Sequence, residues 1–276
     1  MLHKIGDTAR LQTDAIIISS FINVTVVAVV DNYNLIINTI SGFVNIIFNS
    51  VISGFGNLIA TESEDRQFKA FRVYRFFAVW VYGFTAVGFY LLLTPLVKIW
   101  LRDDKWLLAP MIIGTVLIDY YFKGERVALM NYKTAAGVYE PDKYLSLIQG
   151  AVNLVLSIVL VIKIGLVGVY IGTVVSGLIA NVTKPFIVYK YCFHRSAKGY
   201  FIDSFKYILV MMLELAILLP IRTLVMKNVT IMSFIIMFVI VCIIFNVVFL
   251  AFFGRTQECR YIMNTVQEKL ERRKSQ

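Results

Sequence analysis

The sequence predicts an all-α protein, a polytopic membrane helix bundle of about eight spans, and three observations carry that prediction. Apolar residues make up 59% of the chain, mean hydropathy is +0.75 and only 16% of residues are charged, whereas a soluble domain is about 45–50% apolar. Uncharged runs cover 32–61, 76–97, 145–162, 164–183 and 228–254, each close to or above the roughly 20 residues that a helix needs to cross a bilayer. The third observation is where the charge lies. With the N-terminus in the cytoplasm, 21 of the 27 Lys and Arg residues fall in cytoplasmic segments and 6 outside, the positive-inside bias of an N-in, C-in chain with an even number of helices. Orientation in a membrane accounts for the net charge of +10, so nucleic acid is not an expected partner and membrane lipids are.

The first span, 15–30, is short and extends back toward Ile5, which brings Thr8, Arg10 and Asp14 inside it. Arg10 and Asp14 at i,i+4 can meet on one face. Asp14 lies about 15 Å of helix rise beyond Lys4, a depth at which an ionisable side chain faces a bundle interior or an aqueous path. A later helix start would put both residues at the headgroups instead.

The second span, 32–61, carries a row of polar residues. Asn34, Asn38, Ser41, Asn45 and Asn49 recur at steps of three and four and fall within an arc of about 80°. Each unpaired amide in hydrocarbon costs several kcal/mol, so the row turns away from lipid. It faces either a neighbouring helix, as polar glue, or water. Five polar residues on one face exceed what one interface needs, which favours a water-lined cavity.

TESEDRQFKAFRVYR reads as a mixed-charge, solvated cytoplasmic loop, followed by an aromatic third span, 76–97, with Trp80, Tyr82, Phe84, Phe89 and Tyr90. In the external loop KIWLRDDKW, Trp100 and Trp106 read as interfacial anchors. The fourth span, roughly 107–126, places Asp119 and Lys123 at i,i+4, lining a lumen or forming an interfacial salt bridge. After the breaker-containing loop 131–144, the fifth and sixth spans form a hairpin around 163–165. There Gly168, Gly172, Ser176 and Ala180 make a small-residue ridge for close packing. Asn153 and Asn181 read as single polar bridges. GYFIDSFKY reads as a short interfacial helix, and the seventh span carries Arg222, which can snorkel, and Glu214, which needs a partner. The eighth, 228–254, is uniformly apolar and reads as lipid-facing. The tail 255–276 is basic and cytoplasmic, with Ile262, Val266 and Leu270 as an apolar edge for the anionic inner leaflet.

Several chemistries lack their residues. No GxxxxGK[ST] occurs. His3 and His194 stand at opposite ends of the chain, with no Cys or Asp cluster at metal-ligand spacing beside them. The expectation is therefore no enzyme, no cofactor and no metal. Cys192, Cys242 and Cys259 give no disulfide framework, and MLHKIGDTAR has no apolar core or cleavage site of a signal peptide.

The runs KIGDTARLQTDAIIISSF, NYNLI, GNLIATESED, YKTAAGVYEPDKY and NLVLSIVLVIKIGLVGVYIGTVVS together resemble the polysaccharide biosynthesis flippases. These are exporters of O-antigen and capsule repeat units, in the superfamily that also holds lipid II flippases and multidrug and toxin extrusion transporters. The resemblance spans nearly the whole chain, most densely 4–190. It departs at Ala28 and Val30, where family members often have Gly-x-Tyr, and in length. Family members look like two six-helix lobes, and this chain resembles the second lobe (1–190), followed by a linker and two additional spans (191–254) and the basic tail (255–276).

The resemblance implies translocation of undecaprenyl-pyrophosphate-linked oligosaccharide across the bacterial plasma membrane by a half-length member. The missing wall would come from a separate N-terminal half or a homodimer. On that reading Asn34, Asn38, Asn45 and Asn49 meet sugar hydroxyls, Arg10 and Lys123 are the cations for a pyrophosphate, and Asp14 and Asp119 couple an ion. No cationic residue of the family is carried over, because those tend to lie in the first lobe. The alternatives are a non-transporting scaffold and a drug or cation antiporter of the same superfamily.

Overall fold

The computed structural model describes residues 13–274, and every regular element in that range is helical. In order these are α1 (13–21), α2 (Val24–Asn49), α3 (Ile52–Thr61), α4 (Glu64–Leu101), α5 (Pro110–Ala135), α6 (Leu145–Ile164), α7 (Leu166–Cys192), α8 (Lys198–Val225), α9 (Ile231–Phe253) and α10 (Gln257–Lys274). Among the described residues, six stretches are long and apolar enough to cross a membrane: Val24–Thr61, Glu64–Leu101, Glu140–Ile164, Leu166–Cys192, Lys198–Val225 and Ile231–Phe253. The chain is a multi-pass membrane protein. Helix α5 is also 26 residues long, but it carries Asp119, Lys123, Glu125, Arg126 and Lys133, which dilute its apolar character.

The helix boundaries differ from the sequence expectation in ways that have local causes. The expected first span runs to residue 30, but the chain turns at Ile22 and Asn23. Asn23 is extended (φ −172°, ψ 146°) and its side chain accepts from the Thr25 N–H, which makes it an N-cap. Residues 24–30 therefore begin α2. Of the expected solvated loop, 61–75, only Glu62 and Ser63 lie outside helix; 64–75 are the first three turns of α4. Glu64 and Asp65 sit in its first turn, where the helix dipole favours acids. The expected loop 184–206 is mostly helical: 184–192 continue α7, and the expected short interfacial helix, 199–207, is the start of α8.

Helix α4 is the mast of the bundle. At 38 residues it rises about 57 Å, well beyond an apolar layer of about 30 Å, and it packs against α2, α3, α5, α8, α9 and α10. Helix α9 is less uniform than its composition implies. Met237, Val241, Phe245, Phe249 and Phe253 are buried at every fourth residue against this mast, and Trp80 Nε1 donates to Asn246 Oδ1 at 3.0 Å. Helix α10 is tied to α4 through Arg72 and Glu258 (2.7 Å). On its expected apolar edge, Ile262 packs against the core while Val266 is exposed.

Helices α6 and α7 meet along the small-residue ridge. A Cβ on Gly168 would lie 2.3 Å from the Leu160 carbonyl oxygen, and one on Gly172 would lie 2.6 Å from Ser157 Oγ. The backbones approach so closely that only hydrogen fits at these two positions. Gln149 donates to the Ser176 carbonyl (3.1 Å), and Asn153 donates to Thr173 Oγ1 (3.0 Å) and Ser157 Oγ (3.4 Å). Asn181 has both side-chain polar atoms buried without a hydrogen bond in the described structure.

A buried ion pair fastens α4, α5 and α8. Arg75 and Glu125 are 3% and 4% exposed. Arg75 Nη2 donates to Glu125 Oε1 (2.9 Å), the Tyr200 carbonyl (3.0 Å) and Ser204 Oγ (2.7 Å), while Ser204 donates in turn to Glu125. The guanidinium lies 3.6 Å from the Tyr200 ring centroid, a cation–π contact in desolvated surroundings. Breaking such a pair leaves an uncompensated charge. We predict that Arg75→Ala lowers stability by about 3–5 kcal/mol, and that Arg75→Met with Glu125→Leu regains most of it. Thermal unfolding in detergent checks this; a double variant as unstable as the single one would refute the coupling.

Candidate functional site

A cavity of about 670 Å³ opens between α1, α2, α4, α5 and α7. The largest share of its wall is α2, through Asp31, Asn34, Ile37, Asn38, Ser41 and Asn45. Three of the four expected asparagines, 34, 38 and 45, therefore lie on one lumen. Asn49 does not; it is exposed at the last turn of α2, beyond which the helix breaks. The spacing that aligns these amides is a property of one continuous helix, and it lapses where the helix does.

The row is only partly bonded. Tyr82 donates its hydroxyl to Asn45 Oδ1 at 2.6 Å, and Ser41 donates back to the Ile37 carbonyl at 2.5 Å. Asn34 and Asn38 form no side-chain hydrogen bond among the described residues. If the row were glue, these amides would find partners on a packed neighbour. They look instead into open space, which within an apolar bundle is space for water or a polar ligand.

The facing wall is α5, with Thr115, Asp119 and Lys123 at every fourth residue beside Val116, Tyr120 and Val127. Asp119 and Lys123 pair at 2.5 Å, the carboxylate side chain 10% and the lysine 44% exposed. Gly124 allows α5 to approach α4 here, since a Cβ at that position would lie 2.1 Å from the Tyr82 ring. Tyr120 shares a 2.8 Å hydrogen bond with Thr85 on α4.

The third wall joins α1 and α7. Thr173 Oγ1 donates to Asp14, 3.0 Å from Oδ2 and 3.3 Å from Oδ1, and receives Asn153 from behind. Tyr170 lines the cavity one turn before Thr173. The expected Arg10–Asp14 pair cannot be placed, because Arg10 lies outside the described residues.

Of the expected residues, Asn34, Asn38, Asn45, Lys123, Asp14 and Asp119 thus share one cavity. Sequence reasoning did not select Asp31, Thr115, Tyr82, Tyr120, Tyr170 and Thr173. The Thr115–Asp119–Lys123 row was a usable signal, because its spacing puts three polar groups on one face of a helix that is otherwise apolar there. The three tyrosines carried no such mark; in membrane helices they read equally well as packing or interfacial residues. The expected partner of Glu214 is not found: its carboxyl is fully buried and makes no hydrogen bond among the described residues. It lies on α8 and is not part of the cavity wall. Among the described residues no three His, Cys, Asp or Glu side chains converge as a metal site would require.

Comparison with protein-family models, with curated proteins and with solved structures finds no match.

The Asp119–Lys123 pair generates a prediction. With one partner largely buried and the other half exposed, a cycle of Asp119→Asn, Lys123→Gln and the double variant should give a coupling of about 1 kcal/mol in unfolding free energy. A coupling indistinguishable from zero would mean that the pair does not hold Lys123 in the lumen.

Proposed function

We propose that these helices form one lobe of a membrane transporter that moves lipid-linked oligosaccharide, of the undecaprenyl-pyrophosphate class, across the bacterial plasma membrane. The observation that carries the reading is the open cavity whose longest wall is a row of neutral amides. Amides donate and accept without holding charge, which suits a ligand presenting many hydroxyls, and the volume falls within the range of about 300–1,000 Å³ typical of ligand sites. In this reading the chain spans the membrane eight times, N-in and C-in, with α1 and α5 joining the six apolar stretches. Carriers of this kind work by moving two units against each other around a central site. In this proposal the opposing wall belongs to a second unit of the same kind, outside these helices.

The charge of the lining sharpens the substrate question. Asp14, Asp31 and Asp119 line the cavity, against Lys123 as the basic residue on the wall. A pyrophosphate needs cations, and in this proposal it is met by Lys123, by Arg10 and by the opposing wall. Asp14 and Asp119 remain the candidates for coupling an ion. The acidic excess, with the rings of Tyr82, Tyr120 and Tyr170 nearby, favours a second reading, a carrier of organic cations, which acids and aromatic faces both attract.

Flux in proteoliposomes separates the readings. We predict that the chain, with any membrane partner that co-purifies, accelerates flipping of a fluorescent short-chain lipid-linked oligosaccharide. Asn34→Ala with Asn38→Ala should then slow it by an order of magnitude or so, at about 1 kcal/mol per lost hydrogen bond. Movement of ethidium without the oligosaccharide would instead establish the cation carrier. Movement of neither would leave a non-transporting scaffold.

A further inference from the structure

The span that carries the amide row is not one helix. Its regular ladder runs to the Ser50 N–H, which donates to the Ile46 carbonyl at 3.1 Å. The Val51 N–H then reaches only three residues back, to Phe48 at 3.3 Å, and the four-residue pattern resumes with Phe55 N–H to the Val51 carbonyl at 3.0 Å. No proline or glycine lies at 48–52. Locally, the Ser50 hydroxyl donates to the Ile47 carbonyl at 2.7 Å, the acceptor that the Val51 N–H would take in a regular helix, and the neighbouring helices act on the next carbonyl. Tyr74 of α4 donates its hydroxyl to the Phe48 carbonyl at 2.7 Å. Asn131 of α5 donates to the same carbonyl at 3.2 Å and to the Tyr74 oxygen at 2.8 Å. Side chains that occupy a carbonyl of the helical ladder open the helix at that point.

The two sides of the break are held very differently. Below it, α3 inserts Phe55, 3% exposed, into a cluster of Tyr74 and Tyr132 with ring centroids 5.0 and 5.1 Å away. Above it, α2 buries Val29, Val30, Tyr33, Ile37 and Val44 on its inner face but packs chiefly on α4, whereas the shorter α3 packs on both α5 and α4; Leu35, Phe43, Ile46 and Ile47 on the outer face are more than half accessible, and Gly42 has nothing within 4 Å of its Cβ position. Above Phe48, among the described residues, the side-chain hydrogen bonds of α2 to the rest of the bundle are Tyr82 to Asn45 and the Leu108 N–H to Tyr33 Oη, the latter at 3.1 Å.

We infer that α2 is a hinged wall of the cavity: it pivots at the Phe48 carbonyl, Tyr74 and Asn131 are the residues that position the pivot, and the Tyr82–Asn45 hydrogen bond is the catch that holds the wall in. The hinge lies where the amide row ends, so the section that swings is the section that lines the lumen, while α3 stays with α4 and α5. A rigid-body swing from this point changes the width of the cavity without rebuilding any helix. The inference rests on the fold and holds whatever the cavity carries.

Pulsed electron–electron distance measurements test it in lipid nanodiscs, in a chain whose Cys192, Cys242 and Cys259 are replaced by serine. One label pair joins Leu35 on α2 to Val159 on α6, and the other joins Ala60 on α3 to Val159. The α2 pair is expected to show a broader or two-peaked distribution than the α3 pair in the otherwise unaltered chain. Tyr82→Phe removes the catch but keeps the ring, and should shift the α2 populations by about fivefold, the value of one hydrogen bond of about 1 kcal/mol, while leaving the α3 pair in place. Tyr74→Phe keeps its contacts with Phe48 and Phe55 and should also redistribute the α2 pair alone. The inference is overturned if both pairs are equally narrow and neither variant alters them, or if α2 and α3 shift together.

Discussion

Inside an apolar bundle a polar side chain needs either a bonded partner or water, and apart from Asn181 and Glu214, which are buried without a hydrogen bond among the described residues, the groups discussed above receive one or the other. Arg75 and Glu125 receive each other, with Ser204 and the Tyr200 carbonyl closing the circle. Lys133 and Asp142, 2.5 Å apart, do the same near the end of α5. Gln149, Asn153 and Ser157 bond to α7 and so draw the α6–α7 hairpin together. Asn34 and Asn38 have no such partner, and space lies in front of them. The cavity is the region where the bundle leaves polar groups to a guest or to solvent.

This constraint also explains why parts of the molecule could be read in advance. The α2 row is legible because helical spacing maps a sequence period directly onto a face, and Asn within an apolar run is rare enough to be noticed. The ridge of Gly168 and Gly172 is legible for the same reason, and it packs where small residues must. Partners distant in sequence are not legible. Arg75 looked like one base in a mixed-charge loop because the carboxylate that buries it comes fifty residues later. The turn at Ile22 and Asn23 was hidden because the chain is equally apolar on both sides, and only Asn23 as an N-cap marks it. The break after Asn49 was hard to read, since Ser50, which bonds the Ile47 carbonyl, is a weak local mark and Tyr74 and Asn131 act on it from other helices.

The site was therefore recoverable as one face and not as an enclosure. Sequence spacing places the amides together and pairs Asp119 with Lys123. What it omits is that α1, α5 and α7 converge on the same space, and that Tyr82, Tyr120 and Tyr170 line it too. The acidic excess of the described wall is also a property of the assembly, since Asp14, Asp31 and Asp119 come from three different helices. It sets the terms for any substrate: on the described wall an anionic group meets Lys123 on α5 against three carboxylates, whereas a cationic one is met by those carboxylates directly.

The central claim is that the polar face of α2 looks into water and not into protein or lipid. Single cysteines placed along α2 in a background lacking the native ones, and reacted in native membranes with a charged, water-soluble thiol reagent, test it most directly. Positions 34, 38 and 45 are predicted to react several-fold faster than 36, 40, 43 and 47, with a period that follows the helix. Equal rates around the helix, or protection of 34 and 38, would contradict it.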